Sequence, residues 1–270
     1  VITIFDNVII GQYVPRESFI HRMDPRAKII AIFIFIVFLF ISRHPVVLML
    51  AAILTGVTFL LANIPFRYYI KGMHFIAIII LLTFLLHLFM TNDGRVLLDL
   101  SWITIYSGGV IEGSLIALRL FLLVLMASLL TLSTMPMDLT DGLERLMKPL
   151  AAMGVPTHEL ALMMSIALRF IPTLLEETSK IINAQMARGA NFSKGSLWTR
   201  LKALIPILVP LFIQSFKRAE DLATAMEARG YNGSKGRTKF RRLQWKRNDT
   251  IAIGVLLIFA LITVIFRVYT

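Results

Sequence analysis

Residues 29–41 are thirteen consecutive apolar residues, and four segments of similar character follow at 46–62, 73–90, 115–132 and 251–266. A helix needs roughly 20 apolar residues to cross a hydrocarbon layer about 30 Å thick. The first and last segments therefore draw on flanking residues, snorkelling or local thinning of the bilayer to span it, and Arg26, Lys28 and Arg43 sit where snorkelling would place them. Backbone polar groups find no water in lipid, so spans of this length are helices. The pattern predicts an all-α integral membrane protein with about five transmembrane helices. At 57% apolar and 16% charged, against about 25% charged in a typical soluble domain, the chain is too apolar for disorder. It has no cysteine, which excludes a disulfide scaffold and a Cys-ligated zinc or iron–sulfur site.

The net charge of +12 fits a nucleic-acid binder in a soluble protein, but in a chain this apolar it reads as a topology signal. With a cytoplasmic N-terminus and five alternating spans, 24 of the 28 Lys and Arg residues fall on the inner side. Arg43, Arg95, Arg119 and Arg267 are outside or within spans. This positive-inside bias predicts a multi-pass membrane protein with its N-terminus and the long segment 134–249 on the cytoplasmic side. It divides the chain into an N-terminal segment with four spans (1–133), a cytoplasmic region of long amphipathic helices (134–249) and a final span (250–270).

Within 134–249, residues 160–168 are closed by Glu159 and Arg169, and residues 203–216 contain Pro206 and Pro210. Spanning by either arrangement would export a basic run, so both are expected at the inner interface. Their periodicity is helical. Leu168, Ile171, Leu175, Ile182 and Met186 share one face, and Leu208, Leu211, Phe212, Ala219, Leu222 and Met226 share another. Such stripes suit packing on the bilayer as well as docking of a partner.

The two helices are expected to end alike, at Ala187-Arg188-Gly189 and Ala228-Arg229-Gly230, 41 residues apart. Pro172 and Pro210 precede the arginines by sixteen and nineteen residues, so each arm is about 24–28 Å long. Glycine is a common C-cap and arginine in a last turn suits the helix dipole, so one such ending is ordinary. A matched pair suggests two equivalent projections for two equivalent receptors, with each arginine offering a planar fork of donors.

With the segments 21–28 (HRMDPRAK), 141–150 (DGLERLMKPL) and 168–172 (LRFIP), the paired tips make most of the chain resemble a known family, the transmembrane T component of energy-coupling factor transporters. That resemblance implies a membrane part and cytoplasmic coupling helices. It implies that Ala187, Arg188, Gly189, Ala228, Arg229 and Gly230 dock two ABC-type ATPase subunits. It also implies that apolar residues of the coupling helices, among them Leu168, Ile171, Leu175, Ile182, Leu211, Phe212 and Leu222, hold a small membrane-embedded S component that captures a vitamin or metal ion. The chain itself would be non-catalytic and carry no cofactor, ATP and magnesium being bound by the partner subunits. The helix leading to Arg229 is expected to begin at Pro206 or Pro210.

Other chemistry finds little support. Residues 192–196 and 232–237 contain Gly, Lys and Ser without the phosphate-loop order. His21, His44, His74, His87 and His158 lack metal-ligand spacing, and His74 and His87 are expected to hydrogen-bond between helices. Arg119 is expected to pair with Glu112 or to snorkel outward. Glu176, Glu177, Glu220 and Asp221 read as surface charge balance with Lys180, Lys217 and Arg218. The basic run 237–247 reads as a headgroup or topology contact. A conventional ABC permease that binds substrate itself is the alternative within transport. An intramembrane enzyme using His74, His87 or Arg119 is the alternative outside it.

Overall fold

Proline and a polar cap open the first helix. Asp24 accepts from the Arg26 N–H and Pro25 follows, starting α1 (Pro25–Ile41). His44 caps α2 (Pro45–Ala62) through Nδ1, and Asn63 ends it with φ 50°. In this computed structural model, residues 13–42, 44–100, 103–190, 196–233 and 243–269 are described. The remaining elements are α3 (Phe66–Met90), an antiparallel pair β1 (Val96–Leu100) and β2 (Ile103–Tyr106), α4 (Ser107–Ser133), α5 (Pro136–Ala151), α6 (Thr157–Ala187), α7 (Leu197–Ala228) and α8 (Arg247–Tyr269). Arg43, residues 192–195 and 234–237, Lys239, Arg241 and Arg242 lie outside the described residues, as does the side chain of His74.

The fold is all-α, as expected, apart from the small ribbon between α3 and α4. The helices α2, α4, α6 and α8 (the last over Arg247–Val268) are long and apolar enough to cross a membrane, and Ile76–Met90 of α3 is a shorter apolar helix. α1, at 17 residues, is shorter than those four. That α6 joins them differs from the sequence expectation of a non-spanning segment. The difference arises because Glu159 and Arg169 do not interrupt the helix, which runs unbroken for 31 residues.

The described residues fall into two compact units, one drawn from Gly11–Leu146 and Arg242–Thr270, the other from Met147–Arg241. In the first, α1, α2, α4 and α8 enclose Phe35, Leu39, Val47, Leu48, Ala51, Leu122, Met126, Leu256 and Phe259. The Phe35 and Phe259 rings stack at 5.9 Å. α3 lies close on α4 because Gly109 and Gly113 present no side chain to it. A Cβ on Gly109 would stand 2.9 Å from the His87 carbonyl oxygen, the small-residue packing typical of membrane helices.

The end of this unit where α1 and α8 begin and α4 ends carries buried charges. Lys28 is buried and donates to the Ser133 carbonyl and to Thr134 Oγ1, both at 2.9 Å. It therefore does not snorkel; it caps the carbonyl end of α4, where a cation is favoured. Arg26 is likewise held, by Asp24 and over the Trp245 ring at 5.7 Å. Asp249, fully buried, accepts from the Asp24 N–H at 2.9 Å and the Lys246 N–H at 2.7 Å, joining the start of α8 to the start of α1. Gly142 of α5 fits against Pro25, since a Cβ there would lie 3.1 Å from that ring. His21 bonds Ser18 Oγ at 2.7 Å and the Val14 carbonyl at 3.0 Å. Only a ring N–H can serve a carbonyl, so Nε2 carries the proton and Nδ1 accepts from the Ser18 hydroxyl. Burial lowers the His21 pKa and the Lys28 charge adds to that, against the opposing bond to Val14.

Candidate functional site

The second unit is built on α6 and α7, which run antiparallel. Phe170 and Leu174 of α6 share a groove with Ser215, Ala219 and Leu222 of α7, and further along Gln185 Nε2 donates to the Pro206 carbonyl at 3.4 Å. Between these contacts, Arg218 donates to Glu177 and lies over the Phe170 ring at 5.5 Å from its centroid. Pro172, Pro206 and Pro210 all lie inside helices, so none marks a base, and α7 begins at Leu197 rather than at Pro206 or Pro210. An interior proline removes one backbone hydrogen bond and disfavours the turn before it, yet the apolar run continues on both sides of each and packing retains the helix.

Both helices end in the same hydrogen-bond pattern. At α6, the Ala190 N–H donates to the Gln185 carbonyl at 3.0 Å and the Gly189 N–H to Met186 at 2.9 Å. At α7, the Tyr231 N–H donates to Met226 at 3.0 Å and the Gly230 N–H to Glu227 at 2.9 Å. Each is a Schellman cap, with the arginine as C-cap and the glycine in the left-handed region, at φ 89° for Gly189 and 72° for Gly230. No atom lies within 4 Å of a Cβ built on either glycine, so conformation alone calls for glycine there. Ala187, Arg188, Ala228 and Arg229 are exposed, which leaves both guanidinium groups available to a partner.

The other expected contact residues divide. Leu168, Ile171, Leu175, Ile182 and Leu211 are half-buried, and Phe212 is exposed. Leu222 lines the groove between α6 and α7, so that residue packs within the unit. α7 leaves a further apolar face open, with Leu201, Ile205, Leu208, Phe212 and Phe216 all exposed.

The structure also revises several polar expectations. Arg119 donates to the Ser42 carbonyl, so its charge serves the C-terminal end of α1. His87 bonds within its own helix, to the Thr83 carbonyl at 2.9 Å. Glu177, read as surface balance, is a half-buried partner across two helices. Its signal was available in the sequence, because Glu177 and Arg218 occupy equivalent positions under the same 41-residue offset as the tips. Among the described residues there is no group of three or more His, Asp or Glu side chains able to hold a metal ion.

An apolar helical membrane unit and two identically capped, arginine-ended helices define a multi-pass membrane protein. Comparison with known proteins agrees. The cobalt transport protein family, CbiQ, matches residues 16–240. The chain is 61% identical over 256 residues to the energy-coupling factor transporter transmembrane protein EcfT of Bacillus selenitireducens, covering 95% of this chain and 96% of that one. It is 48% identical to the protein of the same name in Bacillus subtilis, covering 97% and 99%, and 51% identical to that of Brevibacillus brevis, covering 93% and 96%. The chain belongs to the CbiQ/EcfT family, the transmembrane components of energy-coupling factor transporters.

Proposed function

We propose that the chain is the non-catalytic scaffold of its transporter, coupling ATP hydrolysis by two partner ATPases to reorientation of a membrane-embedded S component that delivers a vitamin or other micronutrient. The observation that carries this reading is the matched pair of capped ends, Arg188 and Arg229, on helices crossed at equivalent positions. A rigid arm with a fixed end can pass a displacement on, and a side chain beyond its last turn can seat in a groove of carboxylates and carbonyls. Such coupling requires the arms to fit two ATPase states differently. ATP and magnesium belong to the partner subunits, because this sequence has no phosphate loop.

The charge bias supports a cytoplasmic N-terminus and cytoplasmic arms. It also supports α6 lying at the inner interface despite its length, since crossing would bring Arg169 into lipid and export the basic residues that follow it. The exposed face of α7 suits an apolar membrane partner such as the S component.

Arg188→Glu combined with Arg229→Glu is the test. Membrane insertion is expected to persist while co-purifying ATPase and ATP-driven uptake are both lost. Normal uptake with normal co-purification would overturn the reading.

A further inference from the structure

We infer that the charges flanking the two tips, not the tips themselves, decide which arm receives which ATPase subunit; the inference rests on the docking reading above. The caps are the same in hydrogen-bond pattern and length, so they offer one chemistry twice. The last eleven residues of each helix are not alike. Position for position under the 41-residue offset, Ser179 is matched by Glu220, Lys180 by Asp221 and Met186 by Glu227.

From Glu177 to its tip, α6 carries beyond the crossing only Lys180 and Arg188, both positive. Beyond Arg218, α7 carries Glu220, Asp221, Glu227 and Arg229. The distal arms therefore differ by four charges, +2 against −2. All six of these side chains are exposed. Among the described residues, the ion pairs Arg22–Glu17, Arg26–Asp24 and Arg218–Glu177 use none of them. Glu220 and Glu227 are seven residues apart, so they form one acidic stripe on the side of α7 away from Leu222 and Met226, which line the groove to α6. The charges lie within about 14 Å of their tips, and most within one to two Debye lengths of a docked surface.

Along these last eleven helix residues, two copies of one receptor would meet opposite net charge, and one of them would face like charge. Complementary potentials select partners chiefly by penalising the wrong one. The arrangement fits two ATPase subunits of different sequence, with an acidic rim around the groove that takes Arg188 and a basic rim around the one that takes Arg229.

The chain has no cysteine, so single cysteines report cleanly. Asn183→Cys and Thr224→Cys stand at equivalent, exposed positions five residues before the arginines. Each is crosslinked in membranes containing the whole complex, and the captured ATP-binding subunit is identified by mass spectrometry. Each cysteine is expected to prefer a different subunit by about tenfold. Exchanging the flanking charges (Ser179→Glu, Lys180→Asp, Met186→Glu with Glu220→Ser, Asp221→Lys, Glu227→Met) is expected to invert that preference. The smaller exchange of Lys180→Asp with Asp221→Lys is expected to weaken it if the full exchange does not accumulate. Equal capture of the subunits at both cysteines, a single kind of ATPase in the complex, or a preference unmoved by either exchange overturns the inference. Capture of no ATP-binding subunit at either cysteine overturns the docking reading itself.

Discussion

Glu177 and Arg218 meet where α6 and α7 cross, and each stands eleven residues before the arginine that ends its own helix. A contact between equivalent positions of two antiparallel helices is a local two-fold centre, so the tips lie on opposite sides of it at equal distances. Eleven residues of helix are about 16 Å, which limits the separation of the two caps to about 33 Å. Arg218→Ala leaves a half-buried carboxylate at this centre and is expected to destabilise the unit by about 1–2 kcal/mol. Glu177→Ala in the same background is expected to recover part of that loss, measured by thermal unfolding in detergent. Additive single and double effects would show that the pair is not coupled.

The left-handed glycines set a graded series. Gly230→Val is expected to cost about 1–2 kcal/mol in the cap, and Gly230→Asn less, because asparagine tolerates that conformation. Since nothing crowds the missing Cβ, ATPase co-purification is expected to fall in the order Gly, Asn, Ala, Val. Loss that follows side-chain volume alone, with Ala better than Asn, would point to a receptor wall instead.

Lys28 holds the carbonyl end of α4 through Ser133 and Thr134. Replacing it by methionine keeps the volume and removes both bonds, with an expected loss of about 1–3 kcal/mol. Lys28→Gln, which retains a donor, is expected to lie between. Equal stability of all three proteins would remove the cap from the account.

Asp24 links stability to pH. Burial raises its pKa, but the side-chain and backbone hydrogen bonds of Arg26, with the charges of Arg26 and Arg145, outweigh this and hold it below the ordinary carboxylate value. The unfolded state thus binds its proton at higher pH than the folded state. The contribution is present in full above the unfolded pKa and disappears as pH falls through the folded one. Asp24→Asn is therefore expected to be the less stable protein at pH 7 and to flatten the acid limb of a stability–pH curve. An unchanged acid limb would assign it to other carboxylates.

Apolar runs announced the membrane helices because lipid leaves the backbone no other solution, and Gly189 and Gly230 marked both arm ends because only a left-handed residue closes that cap. The sequence was a poor guide where packing overrode propensity. Pro206 and Pro210 looked like a boundary, but the apolar face of α7 continues through them. Lys28 and Arg119 looked like snorkelling or ion-paired side chains, and each was taken by a carbonyl at the end of a helix distant in sequence. No local pattern marks such a partner. The Glu177–Arg218 contact was legible only through the repeat that relates the two helices.

The packing of α8 on α1, with Asp249 bonded to the Asp24 N–H, also imposes an order on biosynthesis. More than 200 residues separate the end of α1 from the start of α8, about 10–40 s of translation. For that time the face of α1 bearing Phe35 must wait in the bilayer without Phe259. Both arms emerge meanwhile, so their capped ends are made before the membrane unit has closed.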